Sequence, residues 1–225
     1  MARKWAAAIA AVLTGGAVMA CAPGEASNQK TEAVVSTAVQ PSRTTGAVAV
    51  KLTVAPQGNE ARYRIREQLL GVDFPNDAVG VTNNITGAIA FDAKGNVVPA
   101  ESKIVVDVTG LKSDKDRRDG YVQRNTLQTT QYPTVVLVPT AVKGVKLPLP
   151  KNGTVNFELT GDLTVRGVTK PTTWRGQAKF ENGKVTGNVA TTFTFADFQM
   201  EKPKVRSVLS VEDEIKLEYD FTVTN

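Results

Sequence analysis

The sequence predicts an all-β fold, its antiparallel strands closed as a barrel or stacked as a sandwich. Three observations carry that prediction. From about Ala47 onward the chain is a succession of strand-like runs punctuated by Gly, Pro, Asn and Asp. In the clearest runs apolar and polar residues alternate, so each strand has one dry and one wet face, as in antiparallel rather than doubly covered parallel sheet. Eight or nine such runs follow one another with no long helical pattern between them.

What precedes the runs has a different character. Residues 1–20, MARKWAAAIAAVLTGGAVMA, begin with the positive pair Arg3 and Lys4 and continue as a small, apolar stretch. That is the pattern of a secretory signal peptide, and it is short for a membrane-spanning helix. Val18-Met19-Ala20-Cys21 resembles a bacterial lipobox, in which the signal is cut before a cysteine that receives a diacylglyceryl group. The simpler alternative is ordinary cleavage nearby, leaving a free thiol. Cys21 is the only cysteine, and a lipid anchor gives an isolated exported cysteine a role. The chain is therefore expected in the bacterial cell envelope, in the periplasm or at the cell surface, held to a membrane at Cys21. Residues 21–46 then form a flexible linker: rich in Ala, Ser, Thr, Gln and Pro and without an aromatic residue, they cannot bury enough surface to order themselves. Ser27-x-x-Lys30 within it matches a serine-hydrolase spacing, but no partner motif accompanies it.

The folded domain is expected over 47–225. Its clear runs are 47–54, 85–91, 102–111, 134–142, 154–165, 184–195 and 214–223, with weaker candidates at 61–67 and 172–180. Asn182-Gly183 is a hairpin turn signal, and 93–96 and 151–153 mark further turns. Alternation is cleanest in three places. Phe157, Leu159, Leu163 and Val165 share one parity; so do Val189, Thr191, Phe193 and Phe195; so do Ile215, Leu217, Tyr219, Phe221 and Val223. The last strand is long and apolar, which argues for closure, because an uncovered edge of that kind aggregates.

Residues 113–133, SDKDRRDGYVQRNTLQTTQYP, interrupt the pattern with a dense charge run. They read as a loop with a short helix over Arg118–Thr129 that ends before Pro133. Arg117 and Arg118 are either a clamp for an anionic headgroup or members of ion pairs that fix the course of a solvated loop. The local balance of Lys and Arg against Asp favours the second.

Composition removes much of enzyme chemistry. There is no histidine, so the commonest general base and zinc ligand is missing, and one cysteine permits neither a disulfide nor a thiolate metal cluster. No metal and no cofactor is expected. The formal charge of +5 becomes +3 without Arg3 and Lys4, and no basic patch is interleaved with aromatics, so nucleic acid is not an expected partner.

The order of the remaining pieces is specific. Ile89-x-Phe91-Asp92 is followed by V-x-V-D-V, an R-R-D loop, the step Tyr132-Pro133, then G-D-L-T-V-R-G-V-T-K-P and T-x-F-x-F-A-D-F. Over roughly Ala61–Thr224 this succession resembles the YceI-like family of small exported bacterial proteins. The resemblance implies an antiparallel eight-stranded lipocalin-like barrel with a short helix in one loop, and binding of polyisoprenoid, quinone-type or other long-chain amphiphiles in an apolar tunnel. The chain departs from the family pattern at ARYRIREQLLGVDFPNDAVG, where a simpler strand–strand connection is usual, and at Arg166, where a histidine is common.

The expected function is thus reversible burial of a long-chain isoprenoid or acyl lipid, with no catalysis. The candidate lining residues are Ile104, Val106, Phe157, Leu159, Phe193, Phe195, Leu217, Tyr219 and Phe221. The alternative for the same residues is an ordinary filled core, which makes the protein a structural or interaction module. A carboxylate hydrolase ranks third, because no pair of acids singles itself out. Within GDLTVRGVTKPTTW, Gly161 and Gly167 read as bend or bulge positions and Arg166 as solvent-facing, while Trp174 has no assigned face.

Overall fold

The computed structural model describes residues 47–225; the apolar leader, Cys21 and the linker to Gly46 lie outside them. The described residues form strands β1 (Val48–Val54), β2 (Glu60–Leu69), β3 (Asn76–Thr82), β4 (Ile85–Asp92), β5 (Lys103–Asp107), β6 (Thr134–Lys143), β7 (Asn152–Val165), β8 (Val168–Glu181), β9 (Lys184–Thr194), β10 (Val208–Val211) and β11 (Glu214–Thr224). Eight of them close an antiparallel barrel in the order β1-β4-β5-β6-β7-β8-β9-β11, sealed where β11 returns to β1 at Val54–Val223 and Thr53–Thr224. One short helix, α1 (Asp116–Tyr121), lies between β5 and β6 and continues as a wider turn over Val122–Thr126.

The departure segment noted in the sequence builds the other strands. β2 pairs with β11 over Lys216–Asp220, with β3 along its second edge, and with β10 at its far end. So β11 changes partner along its length, from β2 to β1. At the change of partner the backbone N–H of Thr222 donates to Asn59 Oδ1 at 3.0 Å, and Ala55 N–H donates to the Thr222 carbonyl at 2.9 Å. A buried N–H without a partner is costly, and the Asn59 side chain supplies the acceptor the ladder lacks there.

All nine runs read from the sequence are strands; β3 and β10 were not among them. NDAVGVT carries Asn, Asp and Gly, which sequence reasoning counts as breakers, and VLSV is too short to alternate. The run at 102–111 ends early, at Asp107, whose Oδ1 accepts from the backbone N and the hydroxyl of Thr109 and turns the chain. The helix begins at Asp116 rather than Arg118, and Gln128, at φ 52, terminates it before Thr129.

The glycine-rich corner is also sharper than expected. Arg166 and Gly167 have φ of 50 and 75, the two left-handed residues of a tight hairpin turn, and Val165 pairs directly with Val168. The strand does not break at Thr169-Lys170-Pro171: Pro171 pairs with Asp162 inside β8. Its missing N–H is tolerated because β9 meets β8 only from Arg175 onward, so Pro171 lies on an edge. Gly161 does mark a bend: it faces a register shift in β6 between Pro139 and Ala141, and a Cβ there would lie 2.7 Å from the Val138 carbonyl oxygen.

Two apolar clusters fill the barrel. One end is solid with Leu52, Phe91, Val97, Phe180, Val185 and Val223. The other holds Leu163, Val165, Trp174, Val189, Phe198 and Ile215. Phe157 and Phe221 touch both, packed edge to face with centroids 5.9 Å apart. Both clusters and the whole closed ring lie within 47–225, so this stretch carries its own core.

Candidate functional site

Above the Phe157–Phe221 pair the strands diverge, and the inward side chains leave a cavity of about 650 Å³. Small-molecule sites span about 300–1,000 Å³. The divergence has a visible cause. β8 and β9 pair only over Arg175–Glu181, so their other halves separate, and the Thr191 hydroxyl donates to the Thr173 carbonyl at 2.8 Å where the ladder stops. A turn at Ala196–Phe198 fills the split, with Phe198 fully buried and edge to face with Phe193 at 4.6 Å.

Six of the nine sequence candidates line this cavity: Ile104, Val106, Phe193, Phe195, Leu217 and Tyr219. Phe157, Leu159 and Phe221 do not line it: Phe157 and Phe221 pack against both clusters, and Leu159 against the upper one. Parity gives the facing of a side chain but not its height along the barrel axis, which is why β7 contributes Leu163 to the wall while Phe157 and Leu159 pack outside it. The remaining wall comes from Tyr63, Ile65, Val135, Leu137, Leu163 and Trp174, among others. The alternation R-Y-R-I-R over 62–66 carried the signal for Tyr63 and Ile65. The run TVVLV, apolar on both faces, hid Val135 and Leu137.

The polar groups of the wall are few and committed. The Tyr219 hydroxyl donates to Asn59 Oδ1 at 2.8 Å, and burial raises its phenol above the ordinary range. Burial likewise pushes the Tyr63 phenol up to about 12, so both are neutral at physiological pH. The Tyr63 ring lies over Gly80 of β3, where a Cβ would fall 2.2 Å from Cε1. Gly80→Val is therefore expected to drive the ring into the cavity and to destabilise the domain by about 2 kcal/mol, the usual result of overpacking. Thermal unfolding together with the fluorescence of Trp174 on the same wall would register both effects, and an unchanged Tm would refute the contact.

The charged loop at the mouth resolves into two kinds of residue. Arg118 pairs with the buried Glu67 of β2 and with Asp114. Asp119, also buried, accepts from the backbone N of Ser113 at 2.8 Å and from its hydroxyl at 2.6 Å. These contacts fix the course of the loop. Arg117 and Arg124 are exposed, border the cavity, and form no ion pair among the described residues. Arg166 is half-buried rather than solvent-facing. Among the described residues no three His, Cys, Asp or Glu side chains converge as metal ligands would.

Comparison with known proteins places this architecture. The YceI-like domain matches residues 52–223. Protein YceI of Shigella flexneri is 32% identical over 130 residues, 56% of this chain and 61% of that protein, so the match spans under two thirds of that relative. A UPF0312 protein of Vibrio parahaemolyticus is 30% identical over 182 residues, 77% of this chain and 88% of the relative. Among solved structures, a polyisoprenoid binding domain from Saccharophagus degradans aligns with a TM-score of 0.60 at 10% identity, covering 79% of this chain and 99% of that one. BcnA of Burkholderia cenocepacia aligns at 0.56 and 15% identity, covering 76% and 99%. At such identities the structural likeness is one of fold. By the extent of the domain match and the Vibrio relative, the chain belongs to the YceI-like domain family.

Proposed function

We propose that this protein is an exported lipoprotein, anchored through Cys21, that reversibly binds one long-chain amphiphile in the upper half of its barrel. The cargo class is polyisoprenoid, quinone-type or fatty-acyl lipid. The observation that carries the reading is the apolar cavity itself, walled by Ile65, Leu137, Phe193 and Leu217 and bordered by the exposed Leu70 and Arg117. The Saccharophagus degradans domain of the same fold is a polyisoprenoid binding domain, which supports the choice of ligand. A fully packed interaction module fits the solid end of the barrel but not this one.

Binding rather than chemistry is what such a wall supports. Each methylene taken from water contributes about 0.8 kcal/mol, so a few isoprene units provide several kcal/mol before the cost of immobilising the chain is subtracted. The headgroup stays at the mouth, among Tyr121, Arg117 and Arg124. Native mass spectrometry of the chain from Gly46 onward, followed by organic extraction, tests the reading. The expected result is one co-purified or re-bindable long-chain lipid per chain. A protein that carries none, and takes up none from dispersed polyprenol, quinone or fatty acid, would rule the cargo out. Separately, Cys21→Ser is expected to move the protein from the membrane to the soluble fraction, and unchanged fractionation would exclude the anchor.

A further inference from the structure

We infer that the rim of the cavity is a docking surface for an anionic lipid bilayer, so that the open end of the barrel sits against the membrane. The rim carries large apolar side chains that no other described residue covers. In the loop after β2, Leu70 and Phe74 are 65% and 78% exposed, and Val72 between them is 44% exposed. Leu209, 61% exposed, is the extra residue of a bulge between Val208 and Ser210, where β10 pairs with the end of β2. Leu70 N–H donates to the Ser207 carbonyl, which ties the two loops into one patch. Leu70, Val72 and Val208 border the cavity, so the patch adjoins its mouth.

The charges around the patch select the partner. Arg117 and Arg124, which border the cavity, and Lys204 and Arg206 in the segment before β10 are exposed and form no ion pair among the described residues. Among the described residues the unpaired anions of these loops and of the turn after β10 are Asp73, Glu201 and Glu212. Exposed Leu and Phe tips ringed by Lys and Arg are the composition of a surface that inserts shallowly among anionic headgroups. A second copy of this chain would bring like charges together, which leaves the bilayer as the better complement. The proposed cargo explains why contact would be useful, since the chain could pass between bilayer and barrel without crossing water. The patch and the charges support docking whatever the cavity holds.

Co-sedimentation of the chain from Gly46 onward, which lacks the Cys21 anchor, tests this. Vesicles of phosphatidylcholine with phosphatidylglycerol are compared with phosphatidylcholine alone, at low and high salt. The expected result is binding to the anionic vesicles only, weakened by salt. Phe74→Ser with Leu209→Ser should lower the partition coefficient at least about tenfold, and Arg206→Glu and Lys204→Glu by about fivefold or more each. Because Phe74 and Leu209 are exposed and do not line the cavity, lipid uptake from detergent dispersion should be unchanged in their double variant. That separates failure of docking from failure of the cargo reading. A chain that ignores anionic vesicles, or variants that bind as tightly as wild type, would overturn the inference. So would sedimentation equilibrium showing a dimer that Phe74→Ser dissolves, which would assign the patch to a second copy.

Discussion

Leu217→Trp is expected to lower affinity for a long-chain lipid about 200-fold while the domain remains folded. Leu217 lines the cavity from β11, between Ile215 and Tyr219 on the same inner face. An indole there occupies space rather than displacing packed atoms, so overpacking strain is small. If it excludes about four methylenes of cargo, the loss is about 3 kcal/mol at about 0.8 kcal/mol each, which is about 200-fold in Kd. Lys216 on the same strand faces outward and pairs with Glu218 at 2.7 Å. Lys216→Ala should therefore leave uptake as it was. Titration with a fluorescent polyprenyl or acyl probe compares the two, with Tm as the control for folding. Equal uptake by Leu217→Trp and wild type would place the cargo outside this cavity.

Phe198→Ala should cost about 4 kcal/mol of stability, the middle of the range for truncating a fully buried aromatic residue. Its ring fills the split between β8 and β9 and stacks edge to face on Phe193. No backbone ladder holds those strand halves together, so side-chain packing does the work alone. In a domain of this size about 4 kcal/mol corresponds to a fall in Tm of roughly 8–16 °C. Calorimetry on the chain from Gly46 onward measures it. A fall of only a degree or two would mean that the Thr191–Thr173 bond and the flanking strands carry the seam without the ring. Because Phe193 and Phe195 line the cavity beside it, the same variant is expected to weaken lipid uptake as well.

Much of this fold was legible because period-two alternation is a local signal. Phe157 to Val165, Val189 to Phe195 and Ile215 to Val223 each declare their inner face without reference to any partner. Closure could be argued from the apolar last strand, and the hairpin at Asn182-Gly183 from its two residues alone. What was not legible depends on neighbours distant in sequence. β3 and β10 exist because β2 offers both its edges, and Pro171 is admitted to β8 because β9 ends its pairing short of it. The split of the core into a solid half and a hollow half is of the same kind. Leu159 and Leu217 look alike in the sequence, and only the height at which each strand crosses the barrel decides that one packs and the other lines the cavity.

The packed end of the barrel also has a consequence for what the barrel can distinguish. Phe157 and Phe221 join the solid cluster to the upper one, and Tyr219, which lines the cavity beside Phe221, is pinned through Asn59 to the seam of β11. With the proposed cargo, a chain entering from the mouth would meet the packed end as a stop. Along a homologous series, each added carbon should then strengthen binding until the tail reaches that end, and further carbons should remain outside. A plateau of this kind would make the barrel a ruler of tail length, and affinity that keeps rising with length would exclude it.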